Sequence, residues 1–290
     1  MKNSWSGSVS IAKTIEKVFL MIRAAVLGKP IDHSLSPLVH GLIYKELGIE
    51  YDYRRIEADE VQARELIERS FAEGDENWSG FSLTMPLKEV GFSLDLPIDP
   101  VALAAHSINT ITPRGSFNTD ISGLQRVMKV EGVDSDSVVL LGNGATARSV
   151  LIALEAIGSS SSVTIYRRNQ SRDQSLPTSG RVSIKTRSME ELSGVLLNDR
   201  QLVISTLPAT SQSLISANLM GFSGTLIDFS YAPWPSVLAG VASGRVISGL
   251  PILVAQAVDQ AVLFSGVEFD RDGMYRTVLL STVRSIAATE

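Results

Sequence analysis

A lysine and an aspartate in the first half of the chain could share a proton-transfer step. Lys88 lies four residues after Thr84, and both follow Gly80–Leu83, a short apolar run that is typical of a buried strand. Asn109 and Asp120 add polar groups at the ends of two more strand candidates. Strand ends are where sites gather in α/β proteins, and a lysine and an aspartate in one cleft shift each other's pKa. Taken alone, Lys88 is more typical of a surface lysine without a chemical role.

Two serines near the N-terminus are placed to bind an anion. Ser34 and Ser36 lie in the segment Gly28–Pro37, directly after the first strand candidate. If the backbone there is extended, both hydroxyls point the same way. Pro37 is suited to the start of a helix, whose N-terminus favours anions. The segment therefore predicts a carboxylate site, and the alternative is that Ser36 is a simple helix N-cap.

A glycine-rich turn in the second half is suited to a pyrophosphate. Val138–Leu141 predicts a strand and Ala145–Ile157 a helix, with Gly142 and Gly144 in the turn between them. Gly142 allows a tight turn, Gly144 lets the backbone approach a phosphate, and Ala147 lets the helix pack closely on the strand. The free N–H groups at the start of the helix would then face the phosphates.

Basic residues follow the next strand candidate, Val163–Tyr166. An acidic residue at that strand end would bind a ribose hydroxyl and favour NAD. This chain instead has Arg167 and Arg168, with Arg172 close behind and no carboxylate before Asp173. Guanidinium groups can hold a 2′-phosphate bidentately, so the sequence predicts NADP as cofactor. The alternative is a solvated basic loop.

The elements that must position these residues alternate between strand and helix along almost the whole chain. Ile108–Ile111 and Ser116–Thr119 flank a Pro-Arg-Gly turn and predict a hairpin. After Gly123, strand candidates alternate regularly with helical patterns, which indicates βαβ units and a parallel sheet. Gly249–Phe264 and Gly273–Ala288 are predicted to be two closing helices.

The composition excludes several kinds of site. The 290 residues contain no cysteine, which removes disulfides, thiolate nucleophiles and thiolate metal sites, and we expect no metal. A net charge of −5 without a long basic run argues against nucleic acid as a partner. No apolar stretch reaches about 18 residues, so we expect no membrane partner and a cytoplasmic location. Charged residues interrupt the N-terminus, which predicts an extension over residues 1–21 rather than a signal peptide.

In their order along the chain, these segments resemble the shikimate dehydrogenase family, from about Arg23 to Gly266. The resemblance rests on Gly28 with Ser34–Pro37, Thr84–Lys88, Ile108–Thr110, Asn118–Gly123, Gly142–Arg148 with the arginines after the next strand, Ser205–Pro208, Asp228–Pro233 and Gly249–Gln256. The variants at Thr84–Pro86, Trp234-Pro235 and Arg245–Leu250 resemble those of actinobacterial members. Among the departures, Ser82 stands where many members have asparagine.

The resemblance implies an α/β fold with two domains, an N-terminal α/β substrate domain and a Rossmann-type, doubly wound NADP-binding domain. Residues 22–122 together with 250–290 would form the substrate-binding and catalytic domain. Residues 123–249 would form the NADP-binding domain. The chain would therefore cross twice between the domains, and the cleft between them is expected to close.

The resemblance also implies a role for each matching residue. Lys88 would be the catalytic lysine and Asp120 its carboxylate partner. The implied substrate-binding residues are Ser34, Ser36, Thr84, Asn109, Asp120, Tyr231 and Gln256. The implied cofactor-binding residues are Gly142, Asn143, Gly144, Ala145, Thr146, Arg167, Arg168, Arg172, Phe229 and Gly249.

The implied activity is reversible reduction of 3-dehydroshikimate to shikimate by NADPH, on the route to the aromatic amino acids, in a monomer or homodimer. A quinate or dual quinate/shikimate dehydrogenase is an alternative, although the two serines and the arginines favour shikimate with NADP. A second alternative is a nucleotide-binding regulator without turnover, against which the intact Lys88 and Asp120 argue. A folate-dependent dehydrogenase is less consistent with the Ser-x-Ser segment.

Overall fold

The computed structural model describes residues 21–72, 77–158, 162–177 and 181–288, whose strands form two sheets. The predicted N-terminal extension lies outside the described residues, except for Met21, which begins the first strand. The strands are β1 (Met21–Gly28), β2 (Glu50–Glu57), β3 (Gly80–Leu83), β4 (Thr110–Thr112), β5 (Gly115–Phe117), β6 (Ser137–Leu141), β7 (Ser162–Arg167), β8 (Ser183–Ser188), β9 (Leu202–Ser205), β10 (Thr225–Asp228) and β11 (Arg245–Ser248). The α-helices are α1 (Ser36–Leu47), α2 (Glu60–Phe71), α3 (Pro100–Ala105), α4 (Thr119–Glu131), α5 (Ala145–Ile157), α6 (Ala209–Gln212), α7 (Val237–Val241), α8 (Gly249–Ser265) and α9 (Arg271–Ala287).

The first sheet has the strand order β2-β1-β3-β4-β5. Strands β2, β1 and β3 are parallel, whereas β4 and β5 form an antiparallel hairpin, which confirms that prediction. The hairpin strands are shorter than predicted. The side chain of Asn118 accepts a hydrogen bond from the backbone N–H of Asp120 and caps α4. Thr119, predicted as a strand end, is therefore the first residue of a helix.

The second sheet is parallel throughout, in the order β11-β10-β9-β6-β7-β8. From β6 the chain adds β7 and β8 on one side, and then crosses over to add β9, β10 and β11 on the other. This arrangement confirms the predicted doubly wound fold. Ligands of such sheets bind where the winding reverses, which here is between the carboxyl ends of β6 and β9.

Helices α4 and α8 carry the chain between the two sheets and pack against each other. Helices α8 and α9 also pack on α1, so both predicted closing helices are present and lie beside the first sheet. One continuous apolar cluster contains Val26 of β1, Leu140 of β6 and Val258 of α8. The two sheets therefore share a core. The domain boundary expected after residue 122 falls inside α4, and the one after residue 249 falls at the first residue of α8.

No helix in the described ranges is long and apolar enough to cross a membrane. Over the same ranges, no group of three or more histidine, aspartate or glutamate side chains is placed to hold a metal ion.

Candidate active site

The two residues with candidate proton chemistry contact each other directly. Lys88 follows β3, and Asp120 lies in the first turn of α4. The Lys88 Nζ atom lies 2.5 Å from Asp120 Oδ2, and the two side chains are only 14% and 11% exposed. The ammonium has three N–H donors, of which one points to Asp120. A second points to Thr146 Oγ1 on α5, 3.2 Å away.

The other oxygen of Asp120 is also engaged by the protein. Asn109 Nδ2 donates to Asp120 Oδ1 over 2.8 Å and lies 3.2 Å from Gln256 Oε1. Helix α8 can place Gln256 this close because Gly123 of α4 has no side chain. A Cβ on Gly123 would lie 3.0 Å from the Cβ of Gln256. The close packing of α4 against α8 thus assembles Asn109, Asp120 and Gln256.

The serine pair also converges, but for a different reason from the one predicted. Ser34 Oγ donates to Ser36 Oγ over 3.2 Å, and both residues are buried. The prediction of an extended backbone is wrong, since Leu35 between them has φ −88° and ψ 0°. The alternative, Ser36 as N-cap, is wrong as well, because Ser36 is the first helical residue and Leu35 is the cap. The turn at Leu35 brings the hydroxyls together.

Tyr231 reaches the serine pair from the loop after β10. Its hydroxyl lies beside the Ser34 side chain and the Leu35 backbone, and its burial raises the pKa of the phenol. Arg55, which sequence reasoning did not single out, donates from Nε to the backbone oxygen of Ser34 over 2.8 Å. A cation therefore lies beside the two hydroxyls. On β2, Arg55 is in register with Val26 of β1, a pairing that the sequence alone does not show.

Thr84 lies at the carboxyl end of β3, beside the carboxyl end of β1. Its backbone N–H donates to the Leu27 oxygen over 2.9 Å. A Cβ on Gly28 would lie 2.4 Å from Thr84 Cγ2, so only glycine allows this approach. Thr84 and the segment that contains Ser34 and Ser36 therefore both begin at the carboxyl-end edge of the first sheet.

The glycine-rich turn has the backbone geometry predicted for it. Gly142 has φ +107°, a conformation that favours glycine, and a Cβ there would lie 2.6 Å from Thr206 Oγ1. Gly144 is the N-cap of α5, and no side chain caps this helix. The helix N-terminus is therefore left to an anion. The side chain of Asn143 instead donates to Asn169 O and to Asp173 Oδ1, over 2.7 and 3.0 Å.

The three arginines of the predicted cofactor site are not equivalent. Arg167, the last residue of β7, pairs with Asp173 at 2.9 Å, and its side chain is 11% exposed. Arg168 and Arg172 are exposed, and neither forms an ion pair with a residue in the described ranges. The Nη1 atom of Arg172 lies 3.6 Å from the place of a Cβ on Gly144. Two of the three guanidinium groups are thus open to a phosphate.

Phe229 and Gly249 meet at the start of α8. A Cβ on Gly249 would lie 2.1 Å from the backbone oxygen of Phe229, so glycine is required there. The loop that contains Phe229 and Tyr231 follows Asp228, a buried residue to which the resemblance assigned no separate role. Its carboxylate accepts hydrogen bonds from Gln212 and Ser236, while burial raises its pKa. Asp228 thus anchors this loop.

The chain is similar over most of its length to proteins of known function. Residues 26–111 match the family model described as the shikimate dehydrogenase substrate binding domain. A shikimate dehydrogenase (NADP(+)) of Xanthomonas campestris is 32% identical over 272 residues, which cover 87% of this chain and 94% of that protein.

Solved structures show the same similarity. The shikimate dehydrogenase of Mycobacterium tuberculosis has a TM-score of 0.74 and 29% identity, over 90% of this chain and 99% of that one. The shikimate 5-dehydrogenase of Thermus thermophilus, solved in complex with shikimate, has a TM-score of 0.69 and 25% identity over the same shares of the two chains.

Proposed function

The chain belongs to the shikimate dehydrogenase family, and we propose on that basis that it catalyses the reversible NADPH-dependent reduction of 3-dehydroshikimate to shikimate. The observation that carries this proposal is the position of the Lys88–Asp120 pair. Lys88 follows β3 of the first sheet and contacts both Asp120 and Thr146, and Thr146 lies in the first turn of α5, directly after the glycine turn of the second sheet. A carbonyl substrate and a nicotinamide can therefore meet at the ammonium group.

The second sheet offers a site that fits NADP. Gly142 and Gly144 open the backbone at the carboxyl end of β6, and the start of α5 has no side-chain cap. Arg168 and Arg172 are exposed beside this turn and suit a 2′-phosphate. When bound, NADPH supplies the hydride. The backbone near Phe229 and Gly249 would border the nicotinamide, and residues 123–249 would form the cofactor domain.

The Lys88 ammonium donates a hydrogen bond to the oxygen of the reacting carbonyl. Two of its three N–H donors are held by Asp120 Oδ2 and Thr146 Oγ1, so the third is free for this oxygen. Negative charge that develops on the oxygen is stabilised there. The proton that completes the alcohol comes from the Lys88–Asp120 pair, whose ammonium and carboxylate are in direct contact.

The substrate-domain residues hold the ring and its carboxylate. The hydroxyls of Ser34, Ser36 and Tyr231 would bind the carboxylate, with Arg55 as the nearby cation. Thr84, Asn109 and Gln256 would bind the ring hydroxyls. The Asn109 amide has two N–H donors and three acceptors within reach, Thr119 Oγ1, Asp120 Oδ1 and Gln256 Oε1. A substrate hydroxyl can therefore take the place of one of these acceptors. Residues 22–122 together with 250–290 would form this domain.

Steady-state rates for each pairing of shikimate or quinate with NADP⁺ or NAD⁺ test the proposal. We expect kcat/KM for shikimate with NADP⁺ to exceed each other pairing by at least about tenfold. Equal or faster rates with quinate would show that shikimate is not the preferred substrate. Equal rates with NAD⁺ would remove the role proposed for Arg168 and Arg172. The cytoplasmic location and the monomeric or dimeric state stay predictions from the sequence.

A further inference from the structure

Gln260 is a buried amide that lies behind the proposed active site and contacts four polar groups. It lies one turn after Gln256 on α8 and is 1% exposed. Its Nε2 donates to the backbone oxygen of Asn109 over 3.1 Å and to Thr110 Oγ1 over 2.9 Å. Its Oε1 accepts from Ser82 Oγ over 2.9 Å. The fourth contact is with His40 Nε2, 3.1 Å from the same Oε1. Both ends of this amide are therefore satisfied inside the protein.

The direction of these hydrogen bonds determines how Asn109 faces Asp120. Thr110 Oγ1 accepts from Gln260, so the Thr110 hydroxyl gives its own proton to Asn109 Oδ1, 2.8 Å away. The backbone N–H of Thr119 also donates to Asn109 Oδ1, over 2.8 Å. With its oxygen held in this way, Asn109 directs Nδ2 to Asp120 Oδ1. If the Gln260 amide were rotated by 180°, its oxygen instead of its N–H groups would face Thr110 Oγ1 and the backbone oxygen of Asn109.

His40 and Tyr44, both on α1, fix the orientation of Gln260 from behind. His40 is fully buried, and burial lowers its pKa to about 3, so the ring is neutral near pH 7. Its Nδ1 lies 3.3 Å from the Tyr44 hydroxyl. Burial raises the pKa of Tyr44, so that hydroxyl keeps its proton and can donate it to Nδ1. The single ring proton of His40 then lies on Nε2 and faces Gln260 Oε1.

Tyr53 of β2 supports the same orientation from another side. Its ring stacks on His40 with centroids 4.1 Å apart, and its hydroxyl lies 2.7 Å from Ser82 Oγ. Burial raises the pKa of Tyr53, so the phenol keeps its proton and can donate it to Ser82. The Ser82 proton is then free for Gln260 Oε1. The two donors to Gln260 Oε1, His40 Nε2 and Ser82 Oγ, therefore hold this oxygen on the side away from Asn109.

We propose that Gln260 is a positioning residue for the reaction, held by His40 and Ser82, and that it sets the Asn109 amide toward Asp120 through Thr110. This inference rests on the proposed function, because these hydrogen bonds serve to orient the Asp120 carboxylate that holds Lys88. It gives the buried histidine His40 a role in hydrogen-bond direction. Gln260 itself does not touch the substrate.

Gln260→Glu tests the proposal because it keeps the shape of the side chain and changes the donor. An ionised carboxylate has no proton for Thr110 or for the Asn109 carbonyl, whereas a protonated one has a single O–H. The titratable groups of this network are His40 and Tyr44 on α1 and Tyr53 on β2. We expect kcat to fall about tenfold near pH 7 and to recover in part as the pH is lowered, with KM for NADP⁺ unchanged.

Gln125→Glu, the same substitution at a half-buried position on α4, is the matched control and should keep the wild-type pH profile. Thr110→Val keeps the size of the side chain but removes the hydroxyl that links Gln260 to Asn109. It should lower kcat about tenfold, and Thr110→Ser should restore it. This pair of variants tests the proposal even if Gln260→Glu does not fold.

Wild-type kcat and pH dependence in both Gln260→Glu and Thr110→Val would overturn the positioning role. Absence of shikimate turnover in the wild-type chain would instead contradict the proposed function, so the two failures are distinguishable.

Discussion

The two sides of the proposed cleft hold their functional groups in different ways. On the first-sheet side, the side chains of Lys88, Asp120 and Asn109 are nearly buried and already hydrogen-bonded to one another. On the second-sheet side, Arg168 and Arg172 are exposed without an ion pair in the described ranges, and the turn presents mainly backbone. The proposed substrate side is therefore preorganised, whereas the proposed cofactor side would acquire its phosphate contacts when a nucleotide binds.

This difference indicates where each kind of substitution should act. A change in a buried, connected group removes an interaction that is oriented for the transition state, so it should lower kcat. A change in an exposed charge removes binding that the ground state and the transition state share, so it should raise KM.

Lys88→Ala should have the largest effect. The ammonium is the only group in the proposed mechanism that contacts the reacting oxygen, so kcat should fall by about 100-fold or more with a modest change in KM for shikimate. Steady-state kinetics with saturating NADP⁺ measure this, and Lys129→Ala, an exposed lysine at the end of α4, is the control. Turnover near the wild-type level in Lys88→Ala would remove Lys88 from the mechanism.

Arg168→Gln should come next and should act on the cofactor alone. Loss of a charge-assisted contact with the 2′-phosphate should raise KM for NADP⁺ by about 10- to 100-fold. The values of KM for NAD⁺ and for shikimate should not change, so the preference for NADP⁺ should fall by the same factor. If KM for both nucleotides rises equally, Arg168 does not contact the 2′-phosphate.

Ser36→Ala should have a smaller effect, on substrate binding. One hydroxyl that donates to a carboxylate contributes enough to raise KM for shikimate about tenfold, with kcat within a few-fold of wild type. Initial rates at varied shikimate concentration give both constants. Loss of kcat with unchanged KM would show that Ser36 does not bind the carboxylate.

Arg167→Gln should have the smallest effect, although Arg167 adjoins Arg168 in the sequence. Its guanidinium already pairs with Asp173 at 2.9 Å, so little of its charge is available to a phosphate. We expect KM for NADP⁺ to change by less than about threefold, because the Asp173 carboxylate already neutralises this guanidinium. An effect as large as that of Arg168→Gln would show that the two arginines act together on the cofactor.

Local patterns were enough to predict the features that depend on neighbouring residues. Strand and helix periodicity predicted the parallel sheet and the closing helices, and the glycine spacing predicted the tight turn at Gly142. The resemblance supplied Gln256 and Tyr231, which the fold brings from distant segments to Asn109 and Ser34 respectively. The roles of the site residues and the domain boundaries stay predictions.

The remaining features depend on contacts between segments that are far apart. Gln260 reaches Asn109 across 151 positions, and its role is visible only when α8 lies against β4. The pairing of Arg167 with Asp173 requires the turn of 3₁₀ helix at Gln170–Ser175 that brings the carboxylate back. The serine pair converges through the turn at Leu35, which the residue types did not indicate.

The most direct test of the proposed function is whether the wild-type protein catalyses the oxidation of shikimate by NADP⁺. Purified protein is mixed with NADP⁺, shikimate is added, and the absorbance of the reduced nicotinamide is followed over time. We expect a sustained increase that depends on shikimate and that Lys88→Ala reduces by about 100-fold. Binding of NADP⁺ without any increase on addition of shikimate would contradict it and would favour a regulator that binds the nucleotide without turnover.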